Sequence, residues 1–425
     1  MRVAIVGAGI AGGSLAWFLR ERLGERGRID VYEASERVGG RLRAVSLNGT
    51  RFEAGGKHIH ERNRCIGSFV DRLGLDRQSV GHGDAGRIGV WDGDRFAVTT
   101  SPSKPVTLFR LLSRYGLSPR RARNRTRAVA DRFDDIYDHP GTAFATPTAL
   151  LGSVGLADLQ SQSGHEYLTD SGVDPQFVNE LIAGTTRTIY GQDPALNAFA
   201  CLTALTGMGG DTYTLGLSNA TLCDRLFTAA EATVRTETPV ERVTLGPDGA
   251  RLTASTGSRD YDAVCLATPA ESAGIELSGV TQPAGYGDRE ISELSVAYVA
   301  GRLDPEAFGE QSPEDVPGVV VTSADSTAGF VHLRDVSERA GRPAYKLTTQ
   351  GGATPELLDS LFATIDETAE VSWRAFPRLD PESPIPPFRL ADGLYYVNAM
   401  ESIVSTMETQ AIAARSVANL VVRDC

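Results

Sequence analysis

Lysine is scarce in this chain: it occurs at positions 57, 104 and 346 only, so nearly all of the 42 basic side chains are arginines. Positive charge is in deficit as well, with a formal net charge of -12 and a pI near 5.1. A surface of that sign argues against nucleic acid as the main partner, because phosphate backbones are bound by basic surfaces. Paired cysteines are absent too. Cys65, Cys201, Cys223, Cys265 and Cys425 are odd in number, scattered, and never spaced as C-x-x-C, which indicates neither a disulfide framework nor a zinc site. The expected setting is a reducing one, the cytoplasm. No apolar run approaches the ~18–20 residues of a membrane span. The first apolar stretch has only Met1 and Arg2 before it and is interrupted by glycines, so an export signal is not expected.

What the chain does have is length and an ordinary globular composition, 425 residues with 41% hydrophobic and 23% charged. Single cores stop growing beyond ~250–300 residues, so two domains are expected. Val3 to Val6 form a short apolar run of the kind a buried parallel strand shows, and Ser14 to Glu21 carry helical spacing with Leu15, Phe18 and Leu19 on one side. Between them Gly7, Gly9 and Gly12, with Ala11, make the pattern G-x-G-x-x-G. The first glycine permits a tight turn, the second lets backbone approach a pyrophosphate, and the third lets helix pack on strand. The helix N-terminus then offers free N–H groups to phosphate oxygens. A second strand, Ile29 to Tyr32, ends on Glu33, an acid at the distance suited to an adenosine ribose. Gly39, Gly40 and Arg41 follow directly. This run resembles the FAD-binding signature of amine oxidase and glutathione reductase-like flavoproteins, in which the glycines bring backbone near the pyrophosphate or ribityl chain and the arginine lies along it.

Further on, Phe52 to Gly56 ends in a glycine pair, Gly55 and Gly56, that allows close backbone approach. Residues 87–99 alternate around Asp92-Gly93, a type I′ hairpin signal. From Val106 to about Asp138 the pattern turns helical, and helices are expected to continue to Gly184. Thr233–Leu245, Arg251–Ser255, Asp262–Ala267 and Gly393–Ala399 read as strands, and a helix begins near Met407. The expected fold is α/β: a Rossmann-like FAD-binding domain of the glutathione reductase type from 1–60, 215–270 and 386–425. A discontinuous α+β substrate domain takes 61–214 and 271–385.

Separated segments, spread in order along nearly the whole chain, resemble the prenylcysteine oxidase (prenylcysteine lyase) family of FAD enzymes. They are GAGIAGGSLAWFLRE with IDVYEASERVGGRL, then FEAGGKHIHERN, FVNELIAGTTRTIYGQDPALNAF and LYYVNAMESIVSTMETQAIAA. The resemblance implies an oxidase of a lipophilic prenyl thioether. Hydride leaves the S-bound allylic carbon for flavin N5, water adds, the hemithioacetal collapses to thiol and prenyl aldehyde, and O2 reoxidises the flavin to give H2O2. Sulfur and the allyl system both stabilise the developing cation, so the fold must mainly aim the C–H bond. The resemblance further implies that the Val240 backbone meets the adenine, that Glu401 binds the ribityl chain, and that Met407 with Glu408 opens a helix aimed at the flavin pyrimidine carbonyl.

For catalysis the candidates are His60 and Tyr190. His60 stands where the family has a histidine near the flavin, as proton acceptor in the hydration or simply as a ring bonded to backbone. Tyr190-Gly191-Gln192, with Asn197 and Phe199, resembles the family's substrate-pocket segment. Arg187 precedes it, either clamping a substrate carboxylate or tying helices together. Lys57 and His58 stand where the family pattern carries smaller or apolar residues, so chemistry near the ring is expected to differ. His58 and His60 alternate without a third ligand, and no metal site is expected. A second departure is Tyr213–Asn219, with one glycine where the family's animal members have a Glu-Gly-Gly segment. Residues 106–127 mix Leu108, Phe109, Leu111, Leu112 and Tyr115 with seven arginines from Arg110 to Arg127. That pattern fits docking to anionic lipid, or a solvated face paired with Asp131, Asp134 and Asp135. Two other functions stay open on sequence: a flavoenzyme that desaturates, isomerises or cyclises an isoprenoid, and a non-catalytic flavin- or prenyl-binding protein.

Overall fold

A computed structural model describes residues 1–80, 86–216, 218–246 and 249–424; Leu217, within the departing 213–219 segment, and Cys425 lie outside the described residues. The strand β1 (Arg2–Val6) forms from four consecutive buried apolar residues, pairs parallel with β2 (Arg28–Tyr32) on one side, and with Ala263–Leu266 on the other. These sit in a six-stranded sheet whose order is 233–235, 28–32, 2–6, 263–266, 394–396, 389–391. The sheet thus draws on the start, the middle and the end of the chain. The helix α1 (Ile10–Leu23) covers it and packs against the C-terminal helix Met407–Asp424, whose residues are buried from Glu408 to Val421.

A second, seven-stranded sheet runs in the order 362–377, 291–303, 344–349, 332–335, 319–322, 88–91, 96–99. Its pairs are antiparallel apart from 319–322 against 88–91. Helices from Lys104–Tyr115 to Ala198–Gly207 fill the space between residues 104 and 207. The first starts with Pro105 in its opening turn and stops at Gly116, which sits at φ 57°, as expected of proline and glycine at the two ends.

The structure corrects three sequence expectations. Thr233–Leu245 is not one strand: Thr233–Arg235 joins the six-stranded sheet while Val240–Gly246 joins a separate sheet. The break falls where Glu237 takes φ 51° and Pro239 lacks a donor. Gly257–Tyr261 is an additional strand whose burial pattern is mostly exposed, so it carries no apolar alternation to read. The hairpin at 88–99 exists, but positive φ occurs at Gly93 and not at Asp94. A I′ turn requires it at both central positions, and Asp92 does not adopt it either, so the expected I′ turn is not formed.

Candidate active site

The cradle at the end of β1 is built by close approach of backbone. Gly7 lies at φ +108°, and a Cβ there would sit 2.6 Å from the Ala267 carbonyl oxygen. A Cβ on Gly12 would run into the Gly7 carbonyl oxygen, so only glycine lets α1 start this close to β1. Ala11 is buried in the same first turn. Gly9 differs from both. Its Cβ would meet only Gly40 Cα at 3.9 Å and the Gly39 oxygen at 4.0 Å, leaving a slot walled by two glycine backbones in front of a helix N-terminus. Gly39 N–H donates to Ala8 O at 2.8 Å, which fixes the second glycine pair over the first. Glu33 Oε2 accepts from Ala8 N at 2.8 Å and Oε1 from Ser35 N at 2.9 Å, so its carboxylate is held at the rim of this slot. Glu33 O in turn accepts from Thr238 N at 2.8 Å, two residues before the buried Val240.

At the other end of the slot Arg41 forms an ion pair with Glu401 and donates from Nη1 to Ala375 O at 2.6 Å. Glu401 is fully buried, and its second oxygen, Oε2, has no partner among the described residues. Asn398 Oδ1 and both amide atoms of Gln410 share that condition. Buried polar atoms left unpaired cost about 1–3 kcal/mol each, so three such side chains between Asn398 and Gln410 leave this segment short of polar partners. Gly55 and Gly56 face the same segment. A Cβ on Gly55 would strike the Arg41 carbonyl, and one on Gly56 would lie 2.8 Å from Leu42 Cδ2 and 3.9 Å from Met407 Cε. The helix from Met407 is capped by Thr406, whose Oγ1 accepts from Thr409 N at 3.1 Å. A two-glycine slot, a rim carboxylate and a line of buried unsatisfied acceptors fit a flavin dinucleotide: Gly9, Gly40 and α1 for the pyrophosphate, Glu33 for a ribose, Glu401 for the ribityl hydroxyls.

The proposed catalytic and substrate residues fare differently. His60 is 8% exposed and has both ring nitrogens engaged, Nε2 with Gly209 O at 2.5 Å and Nδ1 with Arg62 N at 3.1 Å. Its ring ties the strand Ile59–His60 to the 209–211 turn, the simpler of the two roles considered, and offers no free nitrogen. Tyr190 is fully buried in the core, edge-on to Phe376 at 5.3 Å. Its hydroxyl lacks a partner, and burial pushes its pKa up, keeping it protonated. Arg187 donates to Thr322 Oγ1 and Asp193 Oδ1, both at 3.0 Å, and so holds its helix to the seven-stranded sheet. Gln192 is likewise spent on backbone, donating to Pro377 O at 3.1 Å and accepting from Leu379 N at 2.9 Å. Phe199 packs 5.5 Å from Phe133 between two helices and is a core residue. His58 is exposed, with Thr212 Oγ1 3.4 Å from its Nδ1.

Three structural groups had no local sequence signal. Asn219, in the departing segment, donates to the carbonyls of Gly56 and Lys57 at 2.7 and 2.8 Å while its own N–H reaches Glu53 Oε1 at 2.8 Å. It therefore sets the path of the Gly55–Lys57 turn. Glu408 does not face outward from its helix. It accepts from Cys65 N at 2.7 Å, Ile66 N at 2.9 Å and Tyr137 Oη at 2.7 Å, capping the helix Arg64–Arg72, and burial raises its pKa. Arg289 pairs with Glu271, both almost wholly buried, and reaches Tyr396 Oη and Ser402 Oγ at 2.9 Å each, bracing the segment that carries Glu401.

With this geometry in place, comparisons with known proteins are informative. Residues 98–425 match the family model described as prenylcysteine lyase, and residues 5–73 match a NAD(P)-binding Rossmann-like domain. Farnesylcysteine lyase of Arabidopsis thaliana is 32% identical over 99% of this chain and 88% of its own length. A prenylcysteine oxidase 1-like protein of Bos taurus is 31% identical over 99% and 90%. Among solved structures, a fatty acid isomerase from P. acnes superposes with a TM-score of 0.69 at 13% identity, covering 99% of this chain and 98% of that one. A putrescine oxidase variant superposes at 0.66 and 15%, covering 100% and 99%; at such identities the likeness concerns the fold. The family match takes in most of the chain and the relatives run its full length, so this chain belongs to the prenylcysteine lyase family.

Proposed function

We propose that this chain is an FAD-dependent oxidase of S-prenylcysteine-type thioethers. The net reaction takes thioether, O2 and water to thiol, prenyl aldehyde and hydrogen peroxide. The observation that carries it is the full-length similarity to enzymes named for this chemistry, together with a dinucleotide cradle whose unsatisfied acceptors FAD would complete. FAD, when bound, supplies the hydride acceptor and the reaction with O2.

The chain's own groups bind and orient. Gly9 and Gly40 receive the pyrophosphate, Glu33 and Glu401 accept from ribose and ribityl hydroxyls, and Asn219 and Arg289 brace the two segments flanking the ring site. Because sulfur and the allyl group stabilise positive charge on the reacting carbon, no side-chain base is needed to start. That accords with a His60 ring already committed at both nitrogens. The test is anaerobic: S-farnesyl- or S-geranylgeranylcysteine is expected to bleach the flavin band of the holoenzyme, and no bleaching with any prenyl length rejects the reading. Cys65, Cys201, Cys223 and Cys265 are buried and form no disulfide with one another, which supports the proposal of a reducing location.

We also infer that an anionic bilayer, in which a prenylated substrate partitions, is a docking surface. The helix Lys104–Tyr115 exposes Leu108, Phe109 and Leu112, with Phe109 72% exposed. The arginines beyond it are largely free of acids: among Arg120, Arg121, Arg123, Arg125 and Arg127, the ion pairs among described residues include only Arg127 with Asp131. Exposed apolar side chains on one helix followed by arginines with few acidic partners on the next suit insertion at an anionic interface. Phe109→Glu is expected to weaken co-sedimentation with phosphatidylserine-containing vesicles by about tenfold, and unchanged sedimentation contradicts it.

A further inference from the structure

Two of the three lysines in the chain meet beside the Gly55-Gly56 pair. In the seven-stranded sheet Lys346 lies directly opposite Arg334 on one neighbouring strand and opposite Tyr298 on the other. His332 is two residues from Arg334 and opposite Thr348. By strand alternation all four side chains occupy one face. That face looks onto the segment ending in the Gly55-Gly56 pair, because Tyr298 stacks on Phe52 with ring centroids 4.6 Å apart and its hydroxyl donates to Glu53 O at 2.8 Å. Lys57 follows the glycine pair, with its carbonyl held by Asn219.

The charges do not balance. Lys57 feels repulsion from Lys346, Arg334 and Arg339 against attraction from Glu53 alone. Lys346 likewise faces Arg334, with Glu53 as the opposing charge. Among the described residues no ion pair or side-chain hydrogen bond engages Lys57, Arg334, His332 or Lys346. Glu53 accepts through Oε1 from Asn219 N, while its buried Oε2 has no hydrogen-bond partner among the described residues, so one carboxylate faces the three cations. Burial, then mutual repulsion, pulls Lys57 down to about 7 and Lys346 to about 8, and holds the buried His332 neutral. Arg339, exposed and bonded to Arg51 O at 2.8 Å, and the exposed His58 add to the positive side. Several cations facing a single carboxylate are costly to hold together, and a bound anion offsets that cost.

We propose that Lys57, Arg334 and Lys346 form an oxyanion subsite that takes the carboxylate at the amino-acid end of the substrate, making them specificity-determining residues. The identity of the anion rests on the prenylcysteine reading; the demand for an anion rests on the cluster alone. The geometry accounts for both ends of an amphipathic substrate: the carboxylate on the sheet, the thioether carbon near the glycine pair.

The test compares S-farnesylcysteine with its carboxamide on the oxidised holoenzyme, measuring affinity anaerobically and flavin reduction separately. Wild type is expected to bind the acid about 10- to 100-fold more tightly than the amide, the range for losing a charge-assisted contact. Lys346→Met, and independently Arg334→Met, should each shrink that ratio by about tenfold while leaving amide binding and the flavin midpoint potential unchanged. Equal affinity for acid and amide in wild type, or binding of neither, overturns the subsite. So does a variant whose potential falls while the ratio holds, which would assign the cluster to the flavin instead. Discrimination in binding without flavin reduction by either compound leaves the subsite standing and rejects the thioether oxidation.

Discussion

Gly9→Val protein is expected to fold and to purify colourless. The position is not left-handed, with φ -83°, and a Cβ there meets protein atoms only at 3.9 and 4.0 Å. Ordinary contact of that kind costs little stability, within about 0.5–1 kcal/mol. What a valine would fill is the slot between Gly9 and Gly40, where backbone must approach the pyrophosphate. Flavin affinity should fall by more than about 100-fold, the scale for losing several charge-assisted contacts at a helix N-terminus. The contrast is Gly12→Val, whose Cβ collides with the Gly7 carbonyl and should prevent α1 from packing at all. Flavin content and circular dichroism together separate the two. A yellow Gly9→Val protein at full occupancy would mean that the dinucleotide lies elsewhere.

Glu408→Ala should be the most destabilising single change near the site that leaves the cradle itself untouched. It strands two backbone N–H groups and the Tyr137 hydroxyl, inside a core where Glu408 is 3% exposed. At about 1–3 kcal/mol for each of the three buried donors left unpaired, the loss sums to about 3–9 kcal/mol, read as a melting temperature lower by about 3–10 °C. Tyr137→Phe removes one of the three bonds and should cost about 1 kcal/mol. An unchanged melting temperature in Glu408→Ala would show that the helix Arg64–Arg72 does not depend on this cap.

Which parts of the site could be read from sequence follows from how local their causes are. Gly7, Gly9, Gly12 and Glu33 lie within one strand-helix-strand unit, so spacing alone implies their geometry, and the Glu33 to Ala8 bond is its direct consequence. Resemblance to a family brought in Glu401, whose burial and missing partner no local pattern encodes. Residues whose partners are far along the chain are the hardest to read. Arg187 is satisfied by Thr322, 135 residues away, and Gln192 by Leu379, 187 residues away, so both looked available for substrate. The cationic cluster was invisible for the same reason: Lys57 and Lys346 meet only through the register of Tyr298, Lys346 and Arg334 across three strands. Thr233–Leu245 misled differently, because an apolar run cannot tell which of two sheets each half will join until Pro239 and Glu237 turn the chain.

The central claim is oxidative cleavage of a prenyl thioether, and a single anaerobic turnover with product analysis tests it most directly. Holoenzyme mixed with S-farnesylcysteine should yield one free thiol and one farnesyl aldehyde for each flavin reduced. A product of unchanged mass, or flavin reduction with no thiol released, would contradict the account.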